Sequence, residues 1–295
     1  MNRTDAGFLL LTGKLGNPYR KPLTTAQLRL LTQRAQLLPM PSGEEKLTAQ
    51  HLATMGIGGS LITQILRLLD DEPSLNAYLA NAQKLGCEPI ARSNEAYPLI
   101  LRKRLGNDAP GCLWVKGDLR LLKMPAVSLV GSRDASLENR RFAREVGIQA
   151  AKQGYVLVSG NARGNDVTAQ NACLEAGGCV ISVVADDLAQ YHRSDNVLYI
   201  SEEDYDEPFS IQRALSRNRV IHAMGEIVFV AQCALEKGGT WNGTMQNLKH
   251  RWSPVFCCRD QSPASLELER MGAVLIEPEH LQNFKALCET QLQLF

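Results

Sequence analysis

The pattern of apolar positions changes character near residue 126. Beyond it, mostly apolar residues come in short runs at 126–130, 155–158, 179–184, 227–231, 255–258 and 273–276, with a weaker run at 198–200; Ser128 and Ser182 are single polar positions within them. Runs that do not alternate with polar residues are strands buried on both faces. Stretches with helical periodicity fill most of the gaps, closing at Gly154 and at Gly177-Gly178. Strands alternating with helices predict an α/β domain. It is Rossmann-like and doubly wound, with a mostly parallel sheet covered on both faces.

Residues 1–105 read as a small all-helical domain, and 106–295 as the Rossmann-like one. Thr24-Thr25 caps a helix whose apolar face is Leu28, Leu31, Ala35 and Leu38, and Pro39 and Pro41 stop it. A second short helix is expected at 47–55. The sequence Met55-Gly56-Ile57-Gly58, followed by Leu61-Ile62 and Ile65-Leu66, has the spacing of a helix-hairpin-helix turn. Such glycines expose amides that can hold a nucleic-acid phosphate, or they simply make a tight turn between packed helices. Pro73-Ser74 opens another helix, with Leu75, Tyr78, Leu79 and Ala82 on one face, closed by Gly86. Residues 94–98 and the basic run after them read as a linker. Residues 106–110 form a turn, and 112–117 a short edge strand leading into the second domain.

Composition narrows the partners. The 295 residues carry a formal net charge of +1, with 44% hydrophobic and 21% charged residues. There is no protein-wide basic field, so contact with a polyanion must come from local clusters. Four basic clusters qualify: Arg102-Lys103-Arg104, Arg140-Arg141 with Arg144, Arg213 with Arg217 and Arg219, and Lys249-His250-Arg251. The eight cysteines show no CxxC and no Cys/His metal spacing, which points to reduced core thiols of a cytoplasmic protein. The first sixteen residues lack the organisation of a signal peptide, and no apolar run is long enough to span a membrane.

Four turns carry the chemistry, and a parallel sheet gathers its strand ends on one edge. They are Gly131-Ser132-Arg133, the segment Ser159-Gly160-Asn161-Ala162-Arg163-Gly164-Asn165-Asp166, Ser216-Arg217-Asn218-Arg219, and Gly238-Gly239-Thr240-Trp241-Asn242-Gly243-Thr244. Gly admits close backbone approach, Ser donates, and the Arg fork matches phosphate. Helix N-termini behind the turns add to an anion site. Asp166 reads as the cap of the following helix, and Asn218 as a side chain that locks its turn. Trp241 is either a stacking platform for a base or a core aromatic. GSRDAS breaks the dinucleotide fingerprint, and no P-loop or nucleophile elbow is present.

These residues resemble the DNA-processing protein A (DprA, or Smf) family. The likeness runs from about residue 47 to 276, through YPLILRKRL, LWVKGDLRLL, VSLVGSR, LVSGNARGND, LEAGG and RNRVI. It implies a Rossmann-like domain preceded by a sterile-alpha-motif-type helical domain. It also implies a homodimer without catalysis or cofactor that binds single-stranded DNA, protects it and loads the RecA recombinase in natural transformation. Carried over, the DNA backbone contacts are Gly131, Ser132, Arg133, Ser159, Gly160, Arg163, Gly164, Arg217, Arg219, Gly239 and Thr240. The chain departs from the family pattern in three places, which makes it a divergent member. GGTWNGT stands for the usual SGSLIT. Ala185 to His192 replaces a Gly-Leu-Asp segment with Tyr-Pro, and Ala169-Gln170-Asn171 replaces Ala-Ala-His.

Two other functions use the same pocket. One is a sensor of a nucleotide-like signal. The other is a nucleotide phosphoribohydrolase of the LOG type, since GGTWNGTMQN loosely resembles the PGGxGTxxE turn of those enzymes. Asn247 stands where that turn has Glu, and an amide cannot serve as the base.

Overall fold

A computed structural model describes residues 1–37 and 46–292. The expectations placed on Leu38, Pro39 and Pro41 lie outside the described residues. The chain divides into two compact units. One is Met1–Val115 with Ser201–Glu207, and the other is Lys116–Ile200 with Pro208–Phe295.

The first unit is mostly helical: α1 (Arg3–Thr12), α2 (Thr25–Gln36), α3 (Ala49–Thr54), α4 (Gly59–Leu69), α5 (Glu72–Lys84) and α6 (Leu99–Leu105). Thr24 caps α2 as the sequence predicts, and Gln27 closes the cap into a reciprocal box. Leu28, Leu31, Leu52, Ile65 and Leu68 share one core. Met55 and Ile57 are buried, so the turn between α3 and α4 is anchored by its own apolar side chains. The basic run expected in a linker is helical instead. Leu101 and Leu105 of α6 are buried, and Arg102 lies over the Tyr97 ring. The 112–117 strand is not a lone edge: β1 (Glu88–Ala91) pairs antiparallel with β2 (Cys112–Gly117). Tyr205 returns to this unit and stacks on Tyr78 at 4.4 Å, with Trp114 edge-on at 4.9 Å.

The second unit alternates strands and helices. In chain order it runs β3 (Ala126–Val130), α7 (Leu137–Lys152), β4 (Val156–Ser159), α8 (Asn165–Glu175), β5 (Cys179–Val183), β6 (Val197–Ser201), α9 (Ile211–Ser216), α10 (Asn218–Met224), β7 (Val228–Val230), α11 (Gly238–His250), β8 (Val255–Cys258), α12 (Pro263–Arg270), β9 (Val274–Ile276) and α13 (Phe284–Leu292). Its strands lie side by side in the order β6-β5-β4-β3-β7-β8-β9, every pair parallel. Pleating sends alternate residues of β3 to opposite faces. Val127 and Leu129 join Phe142, Val146, Phe229 and Phe256 in the core on one side. On the other side Ser128 donates its hydroxyl proton to the Ile221 carbonyl at 2.6 Å.

All eight cysteines are free, and six are buried. Burial pushes the Cys173, Cys233 and Cys258 thiols up to about 12, which makes them inert packing groups. Among the described residues no helix is long and apolar enough to cross a membrane.

Candidate functional site

The chain builds outward from β3 to β6, then crosses back to place β7 against the other side of β3. Loops leaving two strands in opposite directions open a crevice at such a reversal, beyond the carboxyl ends of the strands. Here the crevice is a cavity of about 560 Å³, lined by residues from all four motif segments. That volume falls in the range of small-molecule sites.

The first wall continues β3 through Gly131, Ser132 and Arg133. The Ser132 amide donates to the Gln232 carbonyl at 2.9 Å, and its own carbonyl accepts from Asn165 Nδ2 at 3.2 Å. Arg133 is exposed, with its guanidinium 5.8 Å above the Phe209 ring. The second wall is the loop between β4 and α8, represented by Ala162 and Asp166. Asn161 turns it at φ 55 and is held by the Tyr191 hydroxyl at 3.2 Å. Tyr191 in turn donates to Asp186, so the segment that departs from the family pattern braces this loop.

The third and fourth segments are helical rather than the turns the sequence suggests. Arg217, with φ −65 and ψ −16, joins α9 directly to α10. Gly238, Gly239 and Thr240 are the first residues of α11, and Lys237 before them makes no side-chain cap. Glycines and small polar residues look like a loop in sequence, yet they also suit a first helical turn whose amides stay open. Gly238, Gly239 and Thr240 line the cavity, which brings the positive end of the α11 dipole to its wall. Arg133 and Lys237 add exposed cations. Ile211 and Leu215 form an apolar side.

Arg217 and Asp166 form the floor. Arg217 is 6% exposed; it donates to the Gly160 carbonyl and to Asn218 Oδ1, each at 2.7 Å. Asn218 Nδ2 donates onward to the Gly239 carbonyl at 2.9 Å, tying the arginine to α11 and bearing out the locking role. Asp166 does not cap the helix as expected. It sits one residue inside α8, so its carboxylate reaches back into the loop, and Oδ2 accepts from the Ala162 amide at 3.3 Å. Burial pushes this carboxyl up to about 6, against the opposing pull of Arg217 and the nearby amides of Ala162, Gly160 and Gly131. The Gly131 and Gly160 amides favour its charge without meeting hydrogen-bond geometry. An acid easier to protonate folded than unfolded lowers stability as pH rises from about 4 to about 6, and by the full amount above. Asp166→Asn should therefore stabilise the protein by up to about 3 kcal/mol at pH 8 and by nothing near pH 4. Urea denaturation at the two pH values checks this, and equal differences at both would refute it.

The family model of DNA recombination-mediator protein A matches residues 88–280, more than half of the chain. The chain belongs to the DNA recombination-mediator protein A family. It is 34% identical over 141 residues to DNA processing protein DprA of Streptococcus pneumoniae, covering 44% of this chain and 50% of that protein. It is 28% identical over 179 residues to DprA of Bacillus subtilis, covering 57% and 59%. It thus spans about half the length of the curated relatives it matches. In fold it resembles the X-ray structure of the pneumococcal protein, with a TM-score of 0.72 at 24% identity over 95% of this chain and 96% of that one. The DNA processing protein A structure from Helicobacter pylori aligns at a TM-score of 0.55 and 24% identity, over 71% and 97%.

Within this recombination-mediator fold, the family-type motif residues divide into two groups. Gly131, Ser132, Arg133, Arg217, Gly239 and Thr240 line the cavity. Ser159, Gly160, Arg163, Gly164 and Arg219 are not part of the lining. Ser159 is fully buried, and Gly160 supplies the carbonyl that Arg217 grips. Arg163 is exposed and paired with Asp134 at 3.2 Å. Trp241 is 7% exposed, which makes it a core aromatic and not a stacking platform. Asn247 is buried too: its Oδ1 accepts from the Ser253 amide and its Nδ2 meets His222 Nδ1. Burial holds that histidine down to about 3, hence neutral, so the ring nitrogen accepts. Of the charged lining groups, sequence reading missed Lys237 and assigned Asp166 a capping role it does not play. Lys237 could have been found from its place directly before Gly238-Gly239.

Proposed function

We propose that the protein binds single-stranded DNA through backbone phosphates in this cavity and acts as a DNA-processing recombination mediator without catalysis. The observation that carries the reading is the convergence of Arg133, Lys237 and the uncapped start of α11 on one space at the strand-order reversal. Membership of the recombination-mediator family supports it. So does the single-stranded DNA binding mode described for the H. pylori protein. Loading of RecA, assembly as a homodimer and a role in natural transformation extend the same reading to partners. A cytoplasmic setting fits the eight free thiols. The position that carries Glu in the phosphoribohydrolase turn is Asn247, buried and bonded to Ser253 and His222, which favours binding over hydrolysis.

Anisotropy titration of labelled oligo-dT tests this. Wild type should bind at low salt, with affinity falling steeply as salt rises. Arg133→Ala should weaken binding about tenfold for every sequence and flatten the salt dependence by roughly one phosphate contact. Arg163→Ala should cost less, because its guanidinium lies outside the cavity and is already paired with Asp134. An oligonucleotide that tumbles freely at low salt overturns the reading. The cavity's size also suits one mononucleotide. Thermal stabilisation by a mononucleotide but not by oligo-dT would establish a nucleotide sensor in its place.

A further inference from the structure

One polar atom on the cavity floor is unaccounted for. Asp166 lines the cavity and is 4% exposed, and its Oδ1 has no hydrogen-bond partner. A buried carboxylate oxygen without a donor is rare and unfavourable, so a donor absent from the protein itself is called for. The groups facing Asp166 come from every surrounding element. Arg217 approaches from the joint of α9 and α10, and the Gly131, Gly160 and Ala162 amides approach from the ends of β3 and β4. Arg133 and Lys237 stand at the same cavity, and Asp134 pairs with Arg163 outside its lining.

The cations and the start of α11 draw an anion into the cavity that Asp166 lines. Two oxyanions facing each other with no proton between them repel. A single shared proton converts that repulsion into a short, charge-assisted hydrogen bond. We propose that Asp166 is a ligand of the bound phosphate: in the filled cavity Oδ1 carries a proton and donates it to a phosphate oxygen, so anion and proton bind together. The proposal rests on the reading that the cavity takes nucleic-acid phosphate, and it adds how the site tolerates a carboxylate. One carboxylate, one proton from solvent and one phosphodiester oxygen combine, and no covalent bond of the phosphate changes. Because burial already pushes the carboxyl of the empty site up to about 6, the proton is taken up from near-neutral solution.

The test is titration of rhodamine-labelled oligo-dT at constant salt between pH 6.5 and 8. Wild-type affinity should fall roughly twenty-fold over that span, since the empty site loses its proton above about 6 while the filled site keeps it. Asp166→Asn should bind with little pH dependence and at least as tightly as wild type at pH 8. Calorimetry at pH 7.5 in two buffers of different ionisation enthalpy should show uptake of close to one proton per site for wild type. That second measurement decides the matter even if the variant does not fold. A flat wild-type profile without proton uptake overturns the proposal, as does a pH slope that survives in Asp166→Asn. In both cases DNA binding itself still stands. Absence of binding at every pH removes the nucleic-acid reading and this proposal together.

Discussion

With Arg217 replaced by alanine, the Tm of the protein is expected to fall by on the order of 10 °C, whatever happens to ligand binding. The guanidinium is buried, grips the Gly160 carbonyl and Asn218 Oδ1, and offsets part of the charge on Asp166. Truncation leaves those groups facing a void with no cation among them. Removing one member of such a buried set typically costs about 3–5 kcal/mol. Lysine should rescue little, because a point charge cannot make two divergent bonds in the plane of a fork. Scanning calorimetry of the alanine and lysine variants reads the outcome. A Tm within a degree or two of wild type, with DNA affinity lost, would instead make Arg217 a direct phosphate contact.

Gly164→Ala is expected to destabilise the protein by about 3 kcal/mol or more and to weaken binding in whatever remains folded. Gly164 has φ 92 and ψ −125, a region that residues with a Cβ rarely enter. A Cβ there would also stand 2.7 Å from the Ser132 carbonyl oxygen and closer still to that of Arg133. Both penalties fall on the same short stretch, and relieving the second means moving the first wall of the cavity. Urea unfolding beside the neighbouring Arg163→Ala variant checks this, since that exposed side chain should leave stability within about half a kcal/mol. Equal midpoints for the two variants would show that the loop can relax.

The strands that hold the site were legible because they are buried on both faces. Runs such as 227–231 and 255–258 contain no polar interruption to blur their limits, and the single serine in 126–130 is itself fully buried. Strand β1 escaped notice because Glu88 and Pro89 open it and only Ile90 and Ala91 are buried. Helix α6 was mistaken for linker because three of its seven residues are basic and only two leucines reach the core. The candidate site was legible in its polar parts, where Gly, Ser and Arg follow each strand. What each side chain does there was not legible. Arg133 and Arg217 look alike in sequence, and only the packing around Gly160 makes one an exposed cation and the other a buried tie. Asp166 looked like a helix cap because Asp near a helix start usually is one. Its place one residue farther in turns it back into the loop, onto the Ala162 amide.

The reversal of strand order also fixes when the binding site comes into being. Its walls start at residues 131, 162, 217 and 238, and the last arrives only once β7 has docked beside β3. A nascent chain that has emerged only as far as β6 carries the Gly-Ser-Arg and Ala-Arg-Gly loops but encloses nothing. Enclosure of the cavity therefore waits for β7 and the start of α11, and is withheld from every intermediate shorter than that during synthesis.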